Sequence, residues 1–148
     1  MDDDGGMRTT SVGMEVLNRD ESLRLLARVP FGRIVFTLHA LPAVQPVNFL
    51  IDRDRVVIRT SSESKLAVAT AGAIVAFEAD DIDTGTRAGW SVTVVGPAVV
   101  IDDPDDIAHL KSRGLESWAT PGSERFIGIQ IEYVTGRWLH SPVVTSTG

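Results

Sequence analysis

Three apolar, β-branched runs, residues 33–38, 43–51 and 55–60, follow one another with only short polar turns between them. Parallel neighbours need a crossover of about a dozen residues or more, and no such segment is available here. The three runs can therefore pair only as an antiparallel meander. His39, Ala40, Leu41 and Pro42 form the first expected turn, and Asp52, Arg53 and Asp54 the second. Further runs at 74–78, 90–101, from 124 or 125 to 133, and 134–139 bring the expected total to six or seven strands. Gly96 and Pro97 interrupt the longest run and predict a bulge or bend of the kind barrels use to turn corners.

The helices are short. Asn18 can cap a first one, with Glu21 three residues later able to reach back to its amide. Leu25, Leu26 and Val29 lie at helical spacing, and Pro30 ends the run. A second helix is predicted over 64–71, with Gly72 suited to its C-terminal cap. A third starts at Pro104, with Asp102 or Asp103 near its cap and Asp105 and Asp106 favouring its N-terminus, and runs to about Arg113. There is no strand–helix alternation and no repeat. The fold class is mainly β: a closed or nearly closed antiparallel barrel with short helices plugging its ends.

A chain of 148 residues, 43% hydrophobic, suits one domain with a packed core. Residues 14–140 are expected to form it, with 1–13 a disordered leader and 141–148 a flexible tail. The net charge of −6 argues against a nucleic-acid binder. No apolar run reaches the roughly 20 residues of a membrane helix. With no cysteine, disulfides and thiolate zinc sites are excluded, and a cytoplasmic location fits.

Against this acidic background the stretch VVIRTSSESKLAVA, residues 56–69, stands out. Between a strand and a helix start it places Arg59, Thr60, Ser61, Ser62, Ser64 and Lys65, two cations and four hydroxyls. A helix N-terminus offers unpaired amides and partial positive charge, so such a corner is suited to an anion, a terminal phosphate above all. The alternative is a solvated turn with surface charges. Neither a Walker loop nor a dinucleotide-binding glycine motif is present. Asp80, Asp81 and Asp83 lack the spacing and glycine of a calcium loop and read as a solvated loop over 80–89, with no metal. His39, His109 and His140 are scattered, with no HxxxH spacing or nearby catalytic partner, and read as surface or loop residues, and Trp118 and Trp138 read as packing residues.

The order of motifs carries more than any one of them. Gly32-Arg33-Ile34-Val35-Phe36 is followed by Pro46-Val47-Asn48-Phe49. Then come Arg59-Thr60 with Ser64-Lys65, Phe77-Glu78 with Asp80, and Gly89-Trp90-Ser91-Val92 leading to Gly96. Over roughly residues 15–139 this resembles the flavin-binding split β-barrel family related to pyridoxamine 5′-phosphate oxidase, in its nitroimidazole-resistance-like and actinobacterial deazaflavin-using branches. The resemblance implies a split barrel that binds flavin mononucleotide (FMN), or alternatively the deazaflavin F420. It implies that Arg59, Thr60, Ser64 and Lys65 hold the cofactor phosphate. Pro46, Val47 and Asn48 would run beside the ring, and Trp90 and Ser91 would add contacts. It also implies a homodimer with the cofactor at the subunit interface, and a small-molecule substrate it does not name. Ser64 stands where the family often has a second cation, which leaves FMN and F420 both open. The C-terminal strand offers only Arg137, so oxidation of vitamin B6 is not expected. The functional expectation is a flavin- or deazaflavin-dependent oxidoreductase. A non-catalytic flavin or anionic-ligand carrier on the same barrel is the alternative.

Overall fold

The computed structural model describes residues 8–11, 13–61, 72–115 and 124–140. Among them lie nine strands, all paired antiparallel, and two helices. The meander is present as β3 (Phe31–Leu38), β4 (Leu41–Asp52) and β5 (Arg55–Ser61). Leu38 sits opposite Leu41, so β3 and β4 join through only two residues, His39 and Ala40. Both have positive φ, 52° and 64°, which matches the right-handed twist of a two-residue hairpin.

β6 (Ile74–Ile82), β7 (Gly89–Ile101) and β8 (Glu124–Gln130) complete the barrel. The pairing order β7-β6-β3-β4-β5-β8 returns to β7, closing six strands. Closure depends on β7 changing partners. Its residues 89–95 pair with β9 (Tyr133–Leu139), and its residues 98–101 pair with β8. Gly96 and Pro97 stand at the hand-over. A Cβ on Gly96 would lie 1.8 Å from the carbonyl oxygen of Gln130, so the chain passes β8 only because this residue has none.

Alternation along the strands sends one set of side chains into the barrel. Ile34, Phe77, Val56, Ile58, Val92, Val94, Ile127 and Ile129 are fully buried there. Each contributes about 1.5–3 kcal/mol. A second cluster lies outside the barrel wall, where Val57, Phe126 and Ile101 pack beneath Leu110 of α2 (Pro104–Ser112) and Leu115. Asp103 caps α2 by accepting from the Asp106 amide. α1 (Arg19–Leu26) is capped as the sequence indicates, with Asn18 Oδ1 accepting from the Glu21 amide at 2.8 Å.

The closed barrel has the six strands expected, and two short strands add to it: β2 (Met14–Leu17) extends the sheet beyond β9, and β1 (Arg8–Ser11) extends it beyond β2. Gly13, at φ +84°, turns the chain so that the threonine-containing segment pairs back. The acidic loop is shorter than 80–89, since β6 and β7 stay paired as far as Ile82 opposite Gly89. Asp83 closes the remainder by accepting from the amides of Gly85 and Thr86, each at 2.8 Å. The helix expected over 64–71 lies outside the described residues. No helix among the described residues is long and apolar enough to cross a membrane.

Candidate functional site

Strand alternation divides the expected ring-side residues. Val47 is buried in the barrel core with Phe49, while Pro46 and Asn48 face outward. Two clefts open beside them. Pro46 lines one of about 270 Å³ with Phe31, Arg33 and Asp80. Asn48 lines another of about 280 Å³ with Arg113 and Leu115. Pro30 borders both, and its carbonyl accepts from the Phe49 amide at 3.2 Å.

Arg59 and Thr60 point to opposite sides of β5. Thr60 is buried on the side of Val56 and Ile58, whereas Arg59 turns outward toward α2. Its guanidinium donates to the Leu115 carbonyl at 2.9 Å and to the Glu124 carboxylate, and lies 5.1 Å from the centre of the Phe126 ring. Its Nε is buried with no acceptor among the described residues. The adjoining cleft, about 420 Å³, adds Lys111 and Arg125 as cations against Glu124 and Asp102. Leu115 connects this cleft to the one beside Asn48, since its carbonyl holds Arg59 while the residue lines the Asn48 cleft. Ser64 and Lys65, the other half of the expected phosphate grip, lie outside the described residues, as does Trp118.

Trp90 fills the barrel core and is 4% exposed. Ser91 faces the other way, opposite Asp80, and donates to Glu78 at 3.2 Å. Glu78 also accepts from Arg33 at 2.9 Å, and Arg33 reaches Asp80 at 3.5 Å. This Arg33–Glu78–Asp80–Ser91 group is assembled by register, because Arg33 sits opposite both Pro46 and Glu78. The motif order contains all four residues, but their contact could be found only from the strand pairing. Burial raises the pKa of Glu78, and Asp80 adds to it through a hydrogen bond and like charge; Arg33 and Ser91 oppose the rise without cancelling it. A folded-state pKa above the unfolded one contributes stability below the ordinary glutamate range and loses it as pH rises through the folded value. Asp80→Asn is expected to bring the Glu78 pKa down, read by carboxyl NMR titration. An unchanged value would leave burial as the sole cause.

The same outward face carries an apolar row. Val44 is opposite Val35, Val35 opposite Ala76, Ala76 opposite Val95, and Val95 opposite Tyr133. Val44 and Tyr133 are 62% and 71% exposed, and Phe31 and Ile74 are exposed on the same face. Five strands thus present continuous apolar surface beside Pro46, Asn48 and Ser91.

At the opposite wall a buried carboxylate clamps α2. Asp52 accepts from Arg55 at 3.0 Å and from Arg113 at 3.1 Å, and pairs with His109 Nε2 at 2.8 Å. Arg55 also grips Asp106 at 2.6 Å. His109 and His140, both about two-fifths exposed, each pair with a carboxylate. His140 Nε2 sits 2.6 Å from Glu15.

Comparison with known proteins agrees with the architecture. Residues 18–138 match the family model described as pyridoxamine 5′-phosphate oxidase. The uncharacterized protein Rv0080 of Mycobacterium tuberculosis is 46% identical over 125 residues, covering 81% of this chain and 82% of its own length. The structure of the FAD binding protein from Mycobacterium smegmatis superposes with a TM-score of 0.76 at 33% identity, over 84% of this chain and 98% of that one. An FAD-binding protein from Mesorhizobium loti shares the fold, with a TM-score of 0.67 at 20% identity over 84% of this chain and 97% of that one. The match of the family model across most of the chain, on a closed barrel whose long strand changes partners at Gly96, shows that this protein belongs to the pyridoxamine 5′-phosphate oxidase family.

Proposed function

We propose that the protein binds a flavin between two copies of the chain and acts as an oxidoreductase in the cytoplasm, with FMN the expected cofactor and F420 the alternative. The observation that carries this reading is the shared outward face of Pro46, Asn48 and Ser91, bordered by an apolar row that a second copy can cover. The M. smegmatis relative, named as an FAD binding protein, supports the choice of a flavin. When bound, the flavin supplies hydride transfer. The chain's part is to orient the ring and exclude water. Backbone groups of 46–48 and the Asn48 amide offer bonds to ring heteroatoms, and Ser91 offers a hydroxyl. The buried Arg59 Nε, with no acceptor among the described residues, fits an anion held where β5 ends, and the family resemblance adds Ser64 and Lys65 to that role.

The test is titration of the purified protein with FMN, FAD and F420, followed by fluorescence and melting temperature, with sedimentation to read the oligomeric state. A dimer with micromolar or tighter affinity for one of them is expected. The double change Arg59→Ala with Lys65→Ala should weaken binding by about a hundredfold, as loss of two charge-assisted contacts implies. No response to any of the three cofactors would end the flavin reading. A second reading, a non-catalytic flavin carrier, is favoured by the relative's name, which mentions binding and no reaction. Tight binding without turnover by NAD(P)H or reduced F420 would select it.

A further inference from the structure

A cavity of about 670 Å³ lies between α1 and the β2–β9 edge, built from side chains that the flavin reading does not use. Its origin is local. α1 touches β9 at Gly136, where an added Cβ would lie 2.1 Å from Ser22 Oγ. Two residues further, on the same face of β9, stands Trp138. The cavity opens between its indole and the Leu17 and Leu25 side chains.

The charged lining is asymmetric. Arg24 on α1 and Arg28, two residues past its end, are both exposed and border the cavity, and neither guanidinium has an ion-pair or hydrogen-bond partner among the described residues. Glu21 lines it too, and its Oε1 is shielded from solvent with no hydrogen-bond donor among the described residues. An unmet acceptor of this kind is costly and is ordinarily satisfied. His140 brings no free charge, being paired with Glu15.

We infer that this cavity binds a planar aromatic acid carrying a hydrogen-bond donor next to its acidic group. The indole and the two leucines accept the flat apolar body, and the two uncommitted guanidiniums that border the cavity receive the carboxylate. The neighbouring O–H or N–H meets Glu21. The volume suits two fused rings, within the roughly 300–1,000 Å³ of small-molecule pockets. The site is formed within one chain and stands independently of the flavin proposal.

The probe is 1-hydroxy-2-naphthoate, titrated into the full chain and followed by calorimetry and tryptophan fluorescence, with neutral 1-naphthol as comparison. The acid should bind at least about tenfold more tightly than the naphthol. Arg24→Gln with Arg28→Gln should remove that preference while leaving the melting temperature nearly unchanged, as exposed substitutions do. Trp138→Phe should abolish most of the fluorescence change yet retain binding. Equal affinity for acid and naphthol, or an acid affinity unmoved by the double arginine change, would overturn the inference. Displacement of the acid by FMN would overturn it as well, by assigning the cavity to the cofactor.

Discussion

Gly96→Val is expected to leave little folded protein. A Cβ at this position would meet the Gln130 carbonyl oxygen at 1.8 Å, and the obstacle is backbone, which cannot rotate aside as a side chain can. Relief requires β7 and β8 to separate where β7 leaves β9 and joins β8. Overpacking in a well-packed core costs about 1–3 kcal/mol and sometimes more. Here the displacement opens a closed barrel, so about 3 kcal/mol is a lower bound. That is a fall in melting temperature of roughly 10 °C or more, read by thermal denaturation. Pro97→Ala, which alters the bend without adding bulk, should be much milder. A Gly96→Val protein that melts like the wild type would show that the barrel is not closed at this point.

The second large effect is expected from Asp52→Ala. Asp52 is 4% exposed and ties the β4–β5 turn to α2 through Arg55, His109 and Arg113. Removing one member of a buried charge network costs about 3–5 kcal/mol. His109 and Arg113 are each about two-fifths exposed, so water recovers part of the loss and about 2–4 kcal/mol is expected. The variant should also respond less to acid. Burial acts to raise the Asp52 pKa, but the hydrogen bonds and charges of His109 and Arg55 outweigh it, and the net shift is downward. A depressed folded-state pKa contributes stability that is present above the ordinary aspartate value of about 3.9 and is lost as pH falls through the folded value. Asp106, also lowered by Arg55, reinforces the same dependence. Denaturant unfolding between pH 3 and pH 7 should therefore show wild type and variant converging toward the acid end. Parallel curves would mean that Asp52 does not couple folding to protons.

The corner that stood out in the sequence divides physically at Arg59 and Thr60. Both were legible as polar residues at a strand end, and the family order implied one shared task. Adjacent strand residues face opposite ways, however, so Thr60 turns to the barrel interior while Arg59 joins Leu115 and Glu124 near α2. Pro46 and Asn48 escape this division because they are two apart. Trp90 and Ser91 repeat it, one in the core and one on the open sheet face. The carboxylate partners of the histidines could not be read from sequence, since that of His109 lies 57 positions away and that of His140 lies 125 away.

What the sequence determined by itself is short-range. The caps at Asn18 and Asp103, the places where the meander turns, its antiparallel sense and the break at Gly96-Pro97 all follow from backbone preferences acting over a few residues. The tertiary structure decided the rest: that β7 joins two sheets, that Arg33 meets Glu78, that Asp52 holds α2, and that α1 leaves a cavity over Trp138. These depend on strand register. A shift of one residue exchanges the buried face for the exposed one, and it is the packing of the whole barrel that forbids it.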